Sequence, residues 1–154
     1  MASIERSIDV KVPVRVAYNQ WTQFEEFPQF MEGVKEVRQL DDTTLHWSAR
    51  IGGQERQWKA RVTEQHPDLR IAWAAEGDTN NAGVVTFHRL DDATTRVMLQ
   101  LEYEPSDIAE KAADVLGIVE RRVKGDLERF KKFIEARGQE TGAWRGTVEQ
   151  DRIR

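Results

Sequence analysis

The 154-residue chain contains no cysteine. That absence removes disulfides, thiolate metal ligands and cysteine nucleophiles, and it fits a reducing compartment. Long apolar runs are missing as well: nothing approaches the roughly 18 to 20 consecutive apolar residues that a membrane span requires. The opening stretch MASIERSIDVKV is charged within its first five residues and shows no apolar segment of the secretory-leader kind, so a cytoplasmic location is expected. Basic residues are outnumbered, 23 against 27 acidic, for a formal net charge of -4. This balance argues against DNA binding, which leaves a net basic footprint.

Chemical motifs are scarce. The three histidines, His46, His66 and His88, form no metal-spaced pair and no HExxH pattern. No G-x-S-x-G elbow is present. The turn Ile51-Gly52-Gly53-Gln54 lacks the Lys-Ser/Thr of a phosphate-binding loop, and hairpin geometry explains its glycines. No metal and no cofactor is expected.

Periodicity supplies most of the positive signal. Ile4, Arg6, Ile8, Val10 and Val12 alternate with polar residues, as in a strand with one buried face, and Pro13 ends it. Val14, Ala17, Tyr18, Trp21 and Phe24 then fall three and four apart, on one helical face, with a second short helical or turn segment near Phe27 to Met31. Six more strands are read at 34–40, 44–51, 56–63, 69–75, 84–90 and 95–103, which makes seven in all.

From Ser106 to about Arg137, the residues Ala109, Ala112, Leu116, Val119, Val123, Leu127, Phe130 and Ile134 recur at helical spacing, with Gly138 as the stop. Gly117 and Gly125 mark a bend, a close approach or a break in this helix. Residues 139–154 turn polar, either as a flexible tail or as an arm that docks Trp144 onto its own domain or a neighbour. The plan is α+β: a curved antiparallel seven-stranded sheet wrapped around a long C-terminal helix, with two short helices after the first strand. It is expected as a single domain over 1–138 followed by a polar tail over 139–154.

Strand parity sorts side chains between the two faces of the sheet. Trp47, Ala49 and Ile51 share one face, and Arg56 shares its face with Trp58, Ala60 and Val62. Ile71, Trp73 and Ala75 belong together, as do Val85, Phe87 and Arg89, and then Val97, Leu99, Leu101 and Tyr103. Three indoles at inward positions, interleaved with alanines at 49, 60 and 75, either pack a core or line an apolar pocket.

The segments AYNQWTQFEEFPQFMEGVKEV, LHWSARIGG, PDLRIAWAAEG, GVVTFHRLDDATTRVMLQLEYEP and DLERFKKFIEARG give this order of elements a resemblance to the START-related helix-grip superfamily, often labelled SRPBCC and typified by birch-pollen-allergen-like folds. Within it the chain is most similar to the polyketide cyclase/dehydrase-like branch, which also groups coenzyme Q-binding proteins and a ribosome-associated toxin family. The likeness runs from about residue 3 to 138 and lies in spacing and aromatic positions. It implies a deep hydrophobic cavity between sheet and helix. Carried over by position, it implies Trp21, Phe27 and Phe30 near the entrance, and Trp47, Trp58, Trp73, Phe87 and Tyr103 on inward strand positions. Ala112, Leu116 and Val119 would form the lid.

The expected activity is binding of a hydrophobic, aromatic or polycyclic small molecule, polyketide-like or lipid-like. Cyclase/dehydrase turnover is left open. If the protein is an enzyme, Tyr18, Arg56, Arg89 and Tyr103 are the polar candidates for polarising an enolate oxygen, each weighed against an ordinary surface or strand-end role. A carrier of quinone or isoprenoid lipid is one alternative. Another is a ribosome-, RNA- or protein-contacting module acting through the basic run Arg121, Arg122, Lys124, Arg129, Lys131 and Lys132, whose interleaved acids make a solvated face the default. A monomer or a homodimer fits equally.

Overall fold

The computed structural model describes residues 2–51, 53–76, 81–103, 109–149 and 152–153, with side chains described for all of these except 2, 51, 81, 103, 109–116, 118 and 152–153. Its elements run β1 (Ala2–Val10), α1 (Val14–Trp21), a 3-10 segment (Phe24–Gln29), β2 (Val34–Gln39), β3 (Thr44–Ile51), β4 (Gln54–His66) and β5 (Arg70–Ala75). Then come β6 (Asn81–Asp91), β7 (Thr94–Tyr103) and α2 (Ala109–Arg137), followed by the two-residue strands β8 (Val148–Glu149) and β9 (Arg152–Ile153).

The seven main strands are antiparallel in the spatial order β1-β7-β6-β5-β4-β3-β2. The first strand therefore pairs with the last of the meander, Ile4 opposite Leu101 and Val10 opposite Thr95. β1 ends at Val10, short of the Val12 its alternation reached, and Pro13, with φ at −59°, starts α1. Ala17, Tyr18 and Trp21 are buried as their spacing requires, while α1 stops at Trp21 and Phe24 opens the 3-10 segment instead.

The C-terminal half of α2 is anchored by its apolar stripe. Val123, Leu127, Phe130 and Ile134 are 5% exposed or less, and burying each contributes about 1.5–3 kcal/mol. Phe130 packs against Trp21 and Phe30 with ring centroids 5.4 and 5.1 Å apart. The helix is continuous through both of its glycines. At Gly125 a Cβ would lie 3.0 Å from an Arg129 guanidinium nitrogen, so this glycine makes way for a side chain. Gly138, at φ +73°, closes the helix by donating to Ile134 O at 2.9 Å.

After Gly138 the chain returns across α1 rather than leaving the domain. Asn19 Nδ2 donates to Glu140 at 3.2 Å, Gln20 exchanges two hydrogen bonds with Thr141, and the Trp144 N–H donates to Thr22 Oγ1 at 3.1 Å. Arg145 donates to Asn19 Oδ1 at 2.6 Å and pairs with Asp68 at 2.8 Å, its guanidinium 5.4 Å from the centre of the Tyr18 ring. Val148, fully buried, pairs with Gln65 of β4 beyond the point where β3 begins. These contacts explain why Asn19 and Gln20, both polar, are buried.

Candidate functional site: an apolar cavity under α2

A cavity of about 200 Å³ lies between the sheet and the middle of α2. Trp21, Phe24, Phe27 and Met31 wall it on the side of α1 and the 3-10 segment. The sheet supplies Trp47 and Ala49 from β3, Trp58 and Val62 from β4, and Trp73 from β5; Leu99 and Leu101 come from β7. The helix supplies Val119, Val123 and Leu127, together with two charged residues, Arg122 and Asp126. Glu102, exposed, adds a third charge on the lining.

Register explains the indoles. Trp47 stands opposite Trp58 in the β3–β4 ladder, and the two rings stack with planes 3° apart and centroids 5.9 Å apart. Phe27 leans on Trp47 at 5.7 Å. Trp73 stands opposite Val62 on one side and Gly83 on the other. Its indole lies so close to the β6 backbone that a Cβ at position 83 would be 2.5 Å from its Cζ2. All three strand tryptophans keep partial exposure, because their inward faces meet space instead of a second packed layer.

Two of the three charged members, Arg122 and Asp126, come from one stripe of α2. Val119, Arg122, Val123, Asp126 and Leu127 recur three and four apart, which puts both charges beside the apolar contacts. Arg122 reaches over Gly33 and donates to the backbone carbonyl of Arg50, tying α2 to the end of β3. Asp126 accepts from the Glu32 backbone N–H at 3.0 Å and from Arg129, which itself donates to Phe30 O at 3.0 Å. Burial pushes the Asp126 carboxyl up to about 6, against the opposing pull of Arg129, the Glu32 N–H and Arg122.

Of the residues singled out in the sequence, Trp21, Phe27, Trp47, Trp58, Trp73 and Val119 are brought together on this wall. Phe30 and Phe87 are not. Phe30 is sealed into the core against Phe130 and Phe133, and Phe87 meets Tyr18 edge-on at 5.4 Å. The side chains of Tyr103, Ala112 and Leu116 lie outside the described residues. Ala49 lines the cavity, whereas Ala75 does not; the small residue opposite Trp73 is Gly83, and Ala82, opposite Ala74, also lies on the lining.

The polar candidates fall elsewhere. Arg56 has the parity of Trp58 but sits nearer the hairpin turn, exposed, where it hydrogen-bonds Gln54. Arg89 is exposed and pairs with Asp92 across the β6–β7 turn. Tyr18 is fully buried beneath Arg145, away from the cavity, and burial pushes its hydroxyl up to about 12. Arg122 and Asp126 look in the sequence like part of a solvated helical face; their spacing with Val119 and Val123 is the signal of a different role. Much of the basic run is tied down internally: Arg122 and Arg129 as above, and Lys131 to Asp9 O at 3.1 Å and Glu135 at 2.6 Å.

Known proteins share this architecture. The Zhui aromatase/cyclase from Streptomyces sp. R1128 superposes with a TM-score of 0.79 at 16% identity, over 93% of this chain and 99% of that one. The di-domain ARO/CYC BexL from the BE-7585A biosynthetic pathway superposes with a TM-score of 0.71 at 20% identity, over 88% of this chain and 47% of that one. A START superfamily protein from Mycobacterium smegmatis gives 0.67 at 16% identity, over 88% and 95%. In sequence, an uncharacterized 17.2 kDa protein in the melC2-rnhH intergenic region of Streptomyces lincolnensis is 58% identical over 149 residues, 96% of this chain and 99% of that protein. Among the described residues no helix is long and apolar enough to cross a membrane. Residues 10–132 match the family described as polyketide cyclase / dehydrase and lipid transport, and the chain belongs to that family.

Proposed function

We propose that this chain binds a hydrophobic, ring-bearing small molecule, polyketide-like or lipid-like, in the cavity under α2, and that it does so in the cytoplasm. The observation that carries this reading is the chemistry of the wall, with three indoles on the sheet side, Arg122 and Asp126 on the helix side, and, apart from the exposed Glu102, apolar residues elsewhere. Concave apolar sites with a few placed polar groups are the usual form of small-molecule pockets. Four of the five tryptophans, Trp21, Trp47, Trp58 and Trp73, line the cavity, so occupancy reads directly in indole emission. Titration with 1-naphthol and 1,4-naphthoquinone should change that emission saturably. Unchanged emission and no heat of binding across a panel of apolar ring compounds would overturn the proposal.

Asp126 favours a second step, turnover of the ligand. A carboxyl near 6 is poised to take and return a proton at neutral pH. In a cyclisation, Asp126 would remove a proton from a carbon between two carbonyls, and the electron pair would move onto an enolate oxygen held by Arg122. The enolate carbon then bonds to the carbon of a further carbonyl along the same chain, whose oxygen takes the proton back from Asp126. Arg122 uses one donor on Arg50 O and a guanidinium has five, so donors remain for this oxygen. Asp126→Asn should lower turnover of a poly-ketone by about 100-fold or more while changing affinity little. An unchanged rate removes Asp126 from the chemistry and leaves binding alone, as in a quinone or isoprenoid carrier.

A further inference from the structure

We infer that the ligand is compact: one ring or two fused rings, carrying a hydroxyl or carbonyl group at one edge. The inference deepens the binding role proposed above and rests on it. Size is the first ground. An engineered apolar cavity of about 150 Å³ in another protein holds a single benzene ring, and this cavity of about 200 Å³ leaves room for roughly one ring more. Pockets for larger molecules run to about 300–1,000 Å³.

Rigidity is the second ground, because a small cavity limits its guest only if its walls cannot retreat. Trp21 is wedged among Phe27, Phe30 and Phe130 at 5.2, 6.1 and 5.4 Å. Trp47 is held between Phe27 and Trp58. Trp73 already lies against the bare backbone of Gly83, where even one added carbon would come within 2.5 Å, so it has no depth left to yield. Interiors packed this way resist expansion, since forcing extra atoms in drives side chains from their preferred rotamers. A tetracycle or a long isoprenoid chain would need that expansion to be enclosed.

Polarity is the third ground. Apart from the exposed Glu102, the lining offers Arg122 and Asp126 on one stripe of α2 and apolar surface elsewhere, so one edge of the guest is polar and the rest is not. A donor–acceptor pair of this kind suits a neutral hydroxyl or carbonyl group.

The test is a size ladder measured by calorimetry on the intact chain: phenol, 1-naphthol, 9-anthrol, a hydroxytetracene and farnesol, against wild type, Gly83→Ala and Trp73→Phe. Wild type should bind 1-naphthol at least about tenfold tighter than the tetracycle or farnesol, a difference of roughly 1.4 kcal/mol. Gly83→Ala pushes the Trp73 ring into the cavity and should weaken 1-naphthol about tenfold while sparing phenol. Trp73→Phe should shift the optimum toward 9-anthrol, and it keeps the test decisive if Gly83→Ala fails to fold. Equal or tighter binding of the tetracycle or farnesol by wild type overturns the size limit while leaving the binding role standing. Failure of every probe to bind overturns both.

Discussion

Asp126 of α2 accepts the backbone N–H of Glu32 at 3.0 Å, so the helix is joined to the turn before β2 by a carboxylate that also lines the cavity. That bond would hold an ordinary carboxylate in its charged form, yet burial wins and the group titrates near 6 instead of 3.8.

The consequence is a stability that depends on pH in a defined window. Between 3.8 and about 6 the folded chain holds a proton on Asp126 that the unfolded chain has released. Stability therefore falls as pH rises through this interval, by at most about 3 kcal/mol and less where solvent reaches the group. Asp126→Asn has no proton to lose, and the remaining carboxylates are common to both proteins. Urea denaturation of the two from pH 4 to 7 should show wild type losing roughly 1–3 kcal/mol relative to the variant. A difference that stays level over that range sinks the assignment.

Trp47 and Trp58 carry a second prediction. Directly opposed and parallel, they should couple by about 0.5–1.5 kcal/mol beyond the apolar area each buries. A double-mutant cycle of Trp47→Leu, Trp58→Leu and the pair, measured by urea midpoints with dichroism to confirm folding, isolates that coupling. Additive losses would mean that the two rings are neighbours without mutual stabilisation.

The alternation in 44–51 and 56–63 was enough to foresee that Trp47 and Trp58 share a face, because a strand offers only two choices and one face is apolar. For Arg56 and Arg89 the same rule leaves more open. Parity gives the side a residue points to, not whether the sheet is covered at that height, and both arginines lie near strand ends, exposed, against Gln54 and Asp92. Helical spacing likewise found the buried stripe of α2 but not the role of Arg122 and Asp126, since charge alone reads as a solvated face until the partners on Arg50 O and Glu32 N are known. The segment after Gly138 was hardest to read. Its anchors are hydrogen bonds from isolated polar residues to α1, more than a hundred positions away, and such pairings leave no period.

Arg145 should prove the main tie of that segment. It combines a charged hydrogen bond to Asn19, an ion pair with Asp68 and a position over the Tyr18 ring. Arg145→Ala leaves the buried Asn19 amide one partner short and should lower stability by about 1–3 kcal/mol. Amide exchange at residues 141–148 should speed up with it. Unchanged stability together with unchanged exchange would show that the segment is held by Val148 and the Gln20–Thr141 bonds instead.

Gln65 invites a prediction of the opposite sign. A register shift between Val62 and Glu64 turns this residue inward, where it is 1% exposed. Its amide points toward the Tyr18 hydroxyl, yet among the described residues neither amide atom, nor that hydroxyl, has a hydrogen bond of normal geometry. Buried polar atoms left in this condition destabilise by about 1–3 kcal/mol each, and removing both partners of such a contact is close to neutral or favourable. Gln65→Met keeps the shape of the side chain and removes the amide; combined with Tyr18→Phe it removes the hydroxyl too. The double variant should match wild type or exceed it by up to about 2 kcal/mol in urea denaturation. A loss greater than about 1 kcal/mol would show that these groups are satisfied in solution, with an internal water bridging the amide and the phenol as the arrangement that fits such a loss.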